Sequence, residues 1–208
     1  QGYGLTEVGV NCFAMTDEEA YAKAGSIGRP LMFTEARVSD EAGQEAAAGE
    51  VGELWFRGPH VSAGYWNNPQ ATAEALDRKG WFHTGDMAMR DEDGFYYIAG
   101  RSKDMFISGG VNVYPAEIEN QLLQHPDLRD AAVVGAPDET WGEMGVAFVV
   151  MGSDAAFDPE TLTSFLGSRL ARYKIPKRFI EIDELPRTAY GKVVKGDLVE
   201  MLDKEQSQ

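Results

Sequence analysis

Short apolar-rich runs separated by turn-forming residues dominate the first hundred positions, at 34–39, 51–57, 84–89 and 95–99, and predict strands there. The turn set Asp40, Glu41, Ala42 and Gly43, followed by an alanine-rich loop, joins the first two. Asp91, Glu92, Asp93 and Gly94 fold the second two into a hairpin, and 69–76 reads as a short helix between the pairs. Beyond residue 104 the pattern changes to alternating helices and strands. Helices are expected over 115–124, 159–171 and 196–202, strands over 131–135, 146–151 and 179–182, and a disordered tail over 203–208. The fold class is therefore α+β. A β-rich unit over 1–100 is followed by a joint at 101–104 and an α+β unit over 105–208.

The joint carries an unusual combination. In residues 100–119, GRSKDMFISGGVNVYPAEIE, the charged Arg101, Lys103 and Asp104 follow a strand end. Met105 to Ile107 can pair only briefly before Gly109 and Gly110 interrupt. Pro115 suits a first helical turn, and Glu117 and Glu119 there favour the positive end of the helix dipole.

Composition narrows the class. With 43% hydrophobic and 25% charged residues, 208 positions can bury one large core or two small ones. The single cysteine, Cys12, excludes an internal disulfide framework and suits a reducing, cytoplasmic location, with Cys12 itself read as a small buried hydrophobe. No apolar run is long enough to span a bilayer, and Gln1 opens neither a signal peptide nor an ordinary initiator sequence, so the chain is read as a fragment. A net charge of −15 argues against non-specific nucleic-acid binding. Yet 169–195 holds eight basic residues against three acidic ones, either a solvated face or the seat of a phosphate-rich small ligand.

Four segments carry candidate chemistry. In Tyr3, Gly4, Leu5, Thr6 and Glu7, a glycine lets the backbone approach a ligand beside an aromatic ring, a hydroxyl and a carboxylate. In GWFHTGD at 80–86, Asp86 either caps a turn or accepts two ribose hydroxyls. The joint is the third. In PRTAYGKVVK at 186–195, Lys192 is a solvated strand-edge charge or a cation that reaches a developing negative charge.

In this order and spacing the four segments resemble the adenylate-forming superfamily, which includes acyl-CoA synthetases, peptide-synthetase adenylation domains and beetle luciferases. The sequence at 100–119 looks like the acyl-CoA ligase branch. The resemblance implies a partial β-barrel-like subdomain of a large domain, then a mobile C-terminal domain. It also implies two half-reactions on a carboxylic acid: attack on the α-phosphate of ATP, giving an acyl-adenylate and pyrophosphate, then thioester formation with CoA and release of AMP. Tyr3 would stack on adenine, with Gly4 beside it. Thr6 would contact phosphate, Glu7 would hold Mg2+, and Asp86 would bind the ribose hydroxyls with help from Arg101.

Lys192 matches the adenylation lysine and Lys103 the hinge about which the small domain turns between half-reactions. Gly109 and Gly110 would line the pantetheine tunnel. Arg172 and Lys174 would meet the CoA phosphates, and Trp141 and Tyr173 are candidate contacts to its adenine, with a core aromatic as the competing reading. The family's Gly/Ser/Thr-rich phosphate loop has no counterpart here. The isolated chain is therefore expected not to adenylate an acid at a useful rate, and to expose apolar surface that invites self-association.

Val8, Gly9, Val10 and Asn11 are expected to border the acyl pocket. Family frequency favours a fatty acid, with an aromatic acid as the alternative. A carrier-protein-loading adenylation enzyme, and a noncatalytic module that binds a nucleotide or partner, are the other readings.

Overall fold

β-Strands dominate the first of the two units into which the chain divides, Gln1–Ser102 and Lys103–Gln208, in a computed structural model that describes residues 3–9, 11–153 and 155–206. The first unit runs β1 (Phe13–Ala14), α1 (Asp17–Ala22), β2 (Arg29–Pro30), β3 (Glu35–Ser39), β4 (Val51–Arg57), α2 (Pro69–Ala75), β5 (Phe82–Arg90) and β6 (Tyr96–Arg101). The last four strands form an antiparallel sheet in the order β3-β4-β5-β6. It is an open sheet and not a closed barrel. α1 was not anticipated, although Thr16 and Glu19 form a capping box at its start.

Alternation along β5 decides where the first site lies. Phe82, Thr84, Asp86 and Ala88 are buried, while the residues between them are only partly so. A carboxylate thus occupies a core-facing position. The ladder is irregular there: register shifts between Glu53 and Trp55 on one side and between Met87 and Ala88 on the other. Gly85, at φ +69, supplies the left-handed backbone of the bulge. Phe13, Ile27, Val38, Leu54, Phe56, Phe82 and Tyr96 fill the core beneath, with Tyr3 and Leu5 packed on its margin.

The second unit begins with a 3₁₀ turn, Ser102–Asp104. It continues β7 (Phe106–Ser108), β8 (Val111–Val113), α3 (Pro115–Leu122), β9 (Leu128–Asp138), β10 (Gly142–Met151), α4 (Pro159–Gly167), β11 (Arg178–Glu181) and α5 (Lys195–Gln206). β9 and β10 form a long antiparallel hairpin, β11 adds to β10 in parallel, and β7 meets β10 at Gly142. Both faces of the hairpin are covered. Val133, Ala147 and Val149 pack with Ile118 and Leu122 of α3 and Leu162 and Leu166 of α4, whereas Ala132, Val134, Val146, Phe148 and Val150 pack with Leu198 and Leu202 of α5. Burial on both sides explains the unbroken apolar run of β10.

Three expected boundaries move. Gly109 and Gly110 do not simply interrupt pairing: they are the two turn residues of the β7–β8 hairpin, in which Ser108 opposes Val111. Their φ values of +59 and +81 meet the requirement of a type I′ turn. α4 stops at Gly167 instead of continuing to 171, since Gly and Ser are poor helix formers, and Arg172–Lys174 forms a separate 3₁₀ turn. The expected tail is helical as far as Gln206, because Leu198 and Leu202 anchor α5 to the sheet; residues 207–208 lie outside the described residues.

Candidate functional site

In the first unit, Asp86 is 7% exposed and holds two partners from different segments. The Tyr3 hydroxyl donates to its Oδ2 at 2.5 Å, and Arg101 Nε pairs with its Oδ1 at 2.9 Å. Arg101 Nη2 also donates to the Thr84 carbonyl at 3.1 Å. Thr84 completes the cradle by donating to the Leu54 carbonyl and accepting from the Asp86 N–H. The register that opposes Asp86 to Arg101 across β5 and β6 makes this arrangement. The Tyr3 ring lies nearly parallel to Phe56, 6.0 Å between centroids, with Phe13 edge-on. Burial, with the hydrogen bond to the Asp86 carboxylate, pushes the Tyr3 hydroxyl well above the ordinary tyrosine range.

Thr6 and Glu7 lie in the turn closed by the Leu5–Gly9 bridge, and Thr6 is exposed. Gly4 is exposed beside them. Glu7 Oε1 accepts from the Tyr65 hydroxyl at 2.9 Å, while the Glu7 carbonyl accepts from the Ser62 N–H. Among the described residues Oε2 has no protein partner. Burial and the bond to Glu7 raise the Tyr65 hydroxyl. Sequence reading missed Tyr65, for its contact with Glu7 spans 58 positions without any local signal. Val8, expected at a pocket rim, is instead 1% exposed and part of the core. Gly9 and Asn11 are exposed, and Val10 lies outside the described residues.

In the second unit, the Gly109 N–H donates to the Trp141 carbonyl at 2.9 Å. A Cβ on Gly109 would stand 2.9 Å from Trp141 Cε3, whereas one on Gly110 would meet nothing within 4 Å. Trp141 and Tyr173 are 43% and 36% exposed, so neither is a core aromatic. Lys177 Nζ lies 5.4 Å from the centre of the Trp141 ring, a cation the sequence reading did not single out. Lys174, expected to meet the CoA phosphates, pairs with Glu117 at 2.7 and 2.6 Å. Arg172 opens the same 3₁₀ turn and is exposed.

Lys103 is exposed at the start of this unit. Lys192 closes a tight turn in which the Thr188 N–H donates to the Lys192 carbonyl at 2.8 Å, and the Lys192 N–H to Thr188 Oγ1 at 3.2 Å. Its ammonium is exposed and makes no ion pair among the described residues. Cys12 is buried with its thiol raised by desolvation, and its Sγ donates to the Val8 carbonyl. Among the described residues, no helix is long and apolar enough to cross a membrane.

Known proteins resemble this chain over nearly its whole length. The AMP-binding enzyme family matches residues 1–66, and the AMP-binding enzyme C-terminal domain family matches residues 117–192. A feruloyl-CoA synthase of an Amycolatopsis species is 45% identical over 198 residues, which is 95% of this chain and 40% of the relative. A long-chain-fatty-acid–CoA ligase of Bacillus subtilis is 46% identical over 96% of this chain and 36% of its own length. Among solved structures, the o-succinylbenzoate CoA synthetase of Bacillus subtilis with its acyl-adenylate intermediate gives a TM-score of 0.90 at 38% identity, covering 95% of this chain and 40% of that one. The chain thus spans about two fifths of the length of the curated relatives it matches.

Proposed function

Because this chain belongs to the adenylate-forming superfamily of AMP-binding enzymes, we propose that the full-length polypeptide is an AMP-forming acid–CoA ligase. The reaction has two steps. A carboxylate oxygen of the acid attacks the α-phosphorus of ATP, forming a P–O bond as the α–β bridge breaks and pyrophosphate leaves. The CoA sulfur then attacks the acyl carbon, losing its thiol proton, and the C–O bond to AMP breaks.

The Asp86 carboxylate carries this reading: it is a buried anion at a core-facing position, oriented by Tyr3 and Arg101. A core position filled by a charge costs stability unless the charge is paired and hydrogen-bonded, and Tyr3 and Arg101 do this for Asp86. Its remaining lone pairs suit ribose hydroxyls, with the Tyr3 ring beside adenine. Thr6 would meet phosphate, and the backbone at Gly4 would lie beside the nucleotide with Tyr3. Lys192 supplies a cation for the charge that develops on oxygen in the first step. Arg172, Trp141 and Tyr173, with the close-packed Gly109 turn, would serve CoA; Lys174 would need to leave Glu117 to join them.

Glu7 fits a Mg2+ ligand by its chemistry. One oxygen is oriented by Tyr65 and the other is without a protein partner, and magnesium is commonly held by one or two carboxylates together with substrate phosphates. When bound, the ion would neutralise phosphate charge.

Within acid–CoA ligases, a fatty acid remains the proposed substrate, on family frequency. The names of the relatives, feruloyl-CoA synthase and long-chain-fatty-acid–CoA ligase, support an aromatic acid equally. Cytoplasmic residence is proposed from the single reduced, buried cysteine. Self-association of the isolated chain is proposed from its exposed apolar side chains, Met32, Phe33 and Trp66 among them.

The test is product formation by the full-length polypeptide with ATP, CoA and a panel of fatty and aromatic acids. Acid-dependent release of pyrophosphate with matching acyl-CoA supports the reading. Pyrophosphate release with acyl transfer only to a carrier protein would move it to the carrier-loading class, and no release with any acid would leave a noncatalytic module.

A further inference from the structure

The turn that presents Lys192 is gripped from outside by a residue with no assigned part in the chemistry. Arg187 faces Val193 across the neck of the turn. Its Nη1 donates to the carbonyl of Gly191, and its Nη2 pairs with Asp130 Oδ2 on β9. Asp130 is itself oriented, because its other oxygen accepts the Ala131 N–H at 3.0 Å. The Gly191 carbonyl belongs to the peptide that leads into Lys192, and Gly191 has φ +82, a left-handed conformation that glycine adopts without steric cost. Holding that carbonyl fixes the peptide plane and therefore the direction in which Lys192 leaves the backbone.

A second tie lies beyond the turn. Lys195 Nζ binds Glu119 Oε1 at 2.7 Å and the Val133 carbonyl at 3.1 Å, and Glu119 Oε1 accepts the Val133 N–H at 2.7 Å. The lysine turn is thus tied to β9 on both sides, at Asp130 and at Val133. Between the ties, the Lys192 ammonium has no ion-pair partner among the described residues.

We propose that Arg187 is the positioning residue for Lys192: braced by Asp130, it holds the Gly191 carbonyl so that the lysine is aimed before substrate arrives. Arg187 acts through the backbone, since its guanidinium is already committed to Asp130 and Gly191. Its planar fork suits two acceptors at once in a way an ammonium does not. The inference rests on the role given to Lys192 above.

The experiment uses the full-length enzyme and assays the half-reactions separately: acid-dependent pyrophosphate release, and thioester formation from supplied acyl-adenylate. Arg187→Gln and Arg187→Lys are each made alone and with Lys192→Ala. Misaiming a reacting group by about 1 Å can cost on the order of 100-fold, so Arg187→Gln is expected to lower kcat of the first step about 10-fold or more. KM values should stay within about twofold, the second step should be unaffected, and Arg187→Lys should recover part of the loss. In the Lys192→Ala background Arg187→Gln should cost nothing further, because there is no lysine left to aim. An equal loss in that background, or equal losses in both half-reactions, would overturn the proposal. Asp130→Asn provides a second variant should Arg187→Gln fold poorly, with a smaller loss of the same selectivity; no loss would also overturn it. If Lys192→Ala itself spares the first step, the functional reading falls and the clasp with it. If Lys192→Ala abolishes that step while Arg187→Gln leaves it intact, only the clasp falls.

Discussion

Tyr3 and Asp86, 83 positions apart in sequence, share a hydrogen bond of 2.5 Å. A residue proposed to lie against the base and one proposed to hold the sugar are therefore a single unit before any nucleotide arrives. Tyr3→Phe keeps the ring on Phe56 and removes the donor. Hydrogen bonds to charged groups contribute about 1.5–3 kcal/mol to folding stability, so the variant should lose stability on that scale in denaturant unfolding, and calorimetry on the full-length protein should show weaker ATP binding only as far as Asp86 loses its orientation.

The same contact has a pH signature. The folded-state Tyr3 hydroxyl titrates above its unfolded value, so its contribution to stability is complete below about pH 10 and is lost as pH rises further. Melting temperature between pH 8 and 11 should fall more steeply for the parent than for Tyr3→Phe. Parallel alkaline limbs would show that Tyr3 is not the group responsible.

Gly109 and Gly110 should differ when substituted. Both carry positive φ, which costs a non-glycine residue on the order of 1 kcal/mol or more. Only Gly109 also places a Cβ against Trp141. Gly109→Ala should lower the melting temperature beyond Gly110→Ala by about 4 °C or more, and should slow thioester formation from supplied acyl-adenylate. Equal melting temperatures would contradict the packing argument.

Lys103, at the first position of the second unit, is proposed as the pivot. Proline there fixes φ near −65° and restricts Ser102 before it. Lys103→Pro should leave at least one half-reaction measurable when assayed alone, while the coupled rate from acid to thioester drops. An unchanged coupled rate would remove Lys103 from that role.

The strands around Asp86 were legible because each is a short apolar run between turn residues; β4 occupies 51–57 in both readings. What a run does not carry is register. Nothing local announces that Asp86 faces Arg101 or that Tyr65 reaches Glu7, since both follow from how distant strands and loops align. α1 was readable in principle from Thr16 and Glu19, but its six residues bury no side chain and leave no apolar stripe. The glycine pair was legible as the end of a short strand, and the pairing of Ser108 with Val111 adds that it turns a hairpin. Lys192 was found by motif, whereas Arg187, in the same motif, became visible only through its acceptors Gly191 and Asp130.

The most direct measurement is the effect of Lys192→Ala on the two half-reactions of the full-length enzyme. Removing a cation that acts on charge developing in one transition state should depress acid-dependent pyrophosphate release by about 100-fold or more. Thioester formation from supplied acyl-adenylate should remain within about threefold of the parent. Equal losses in both steps, or a first step that survives the substitution, would contradict the account.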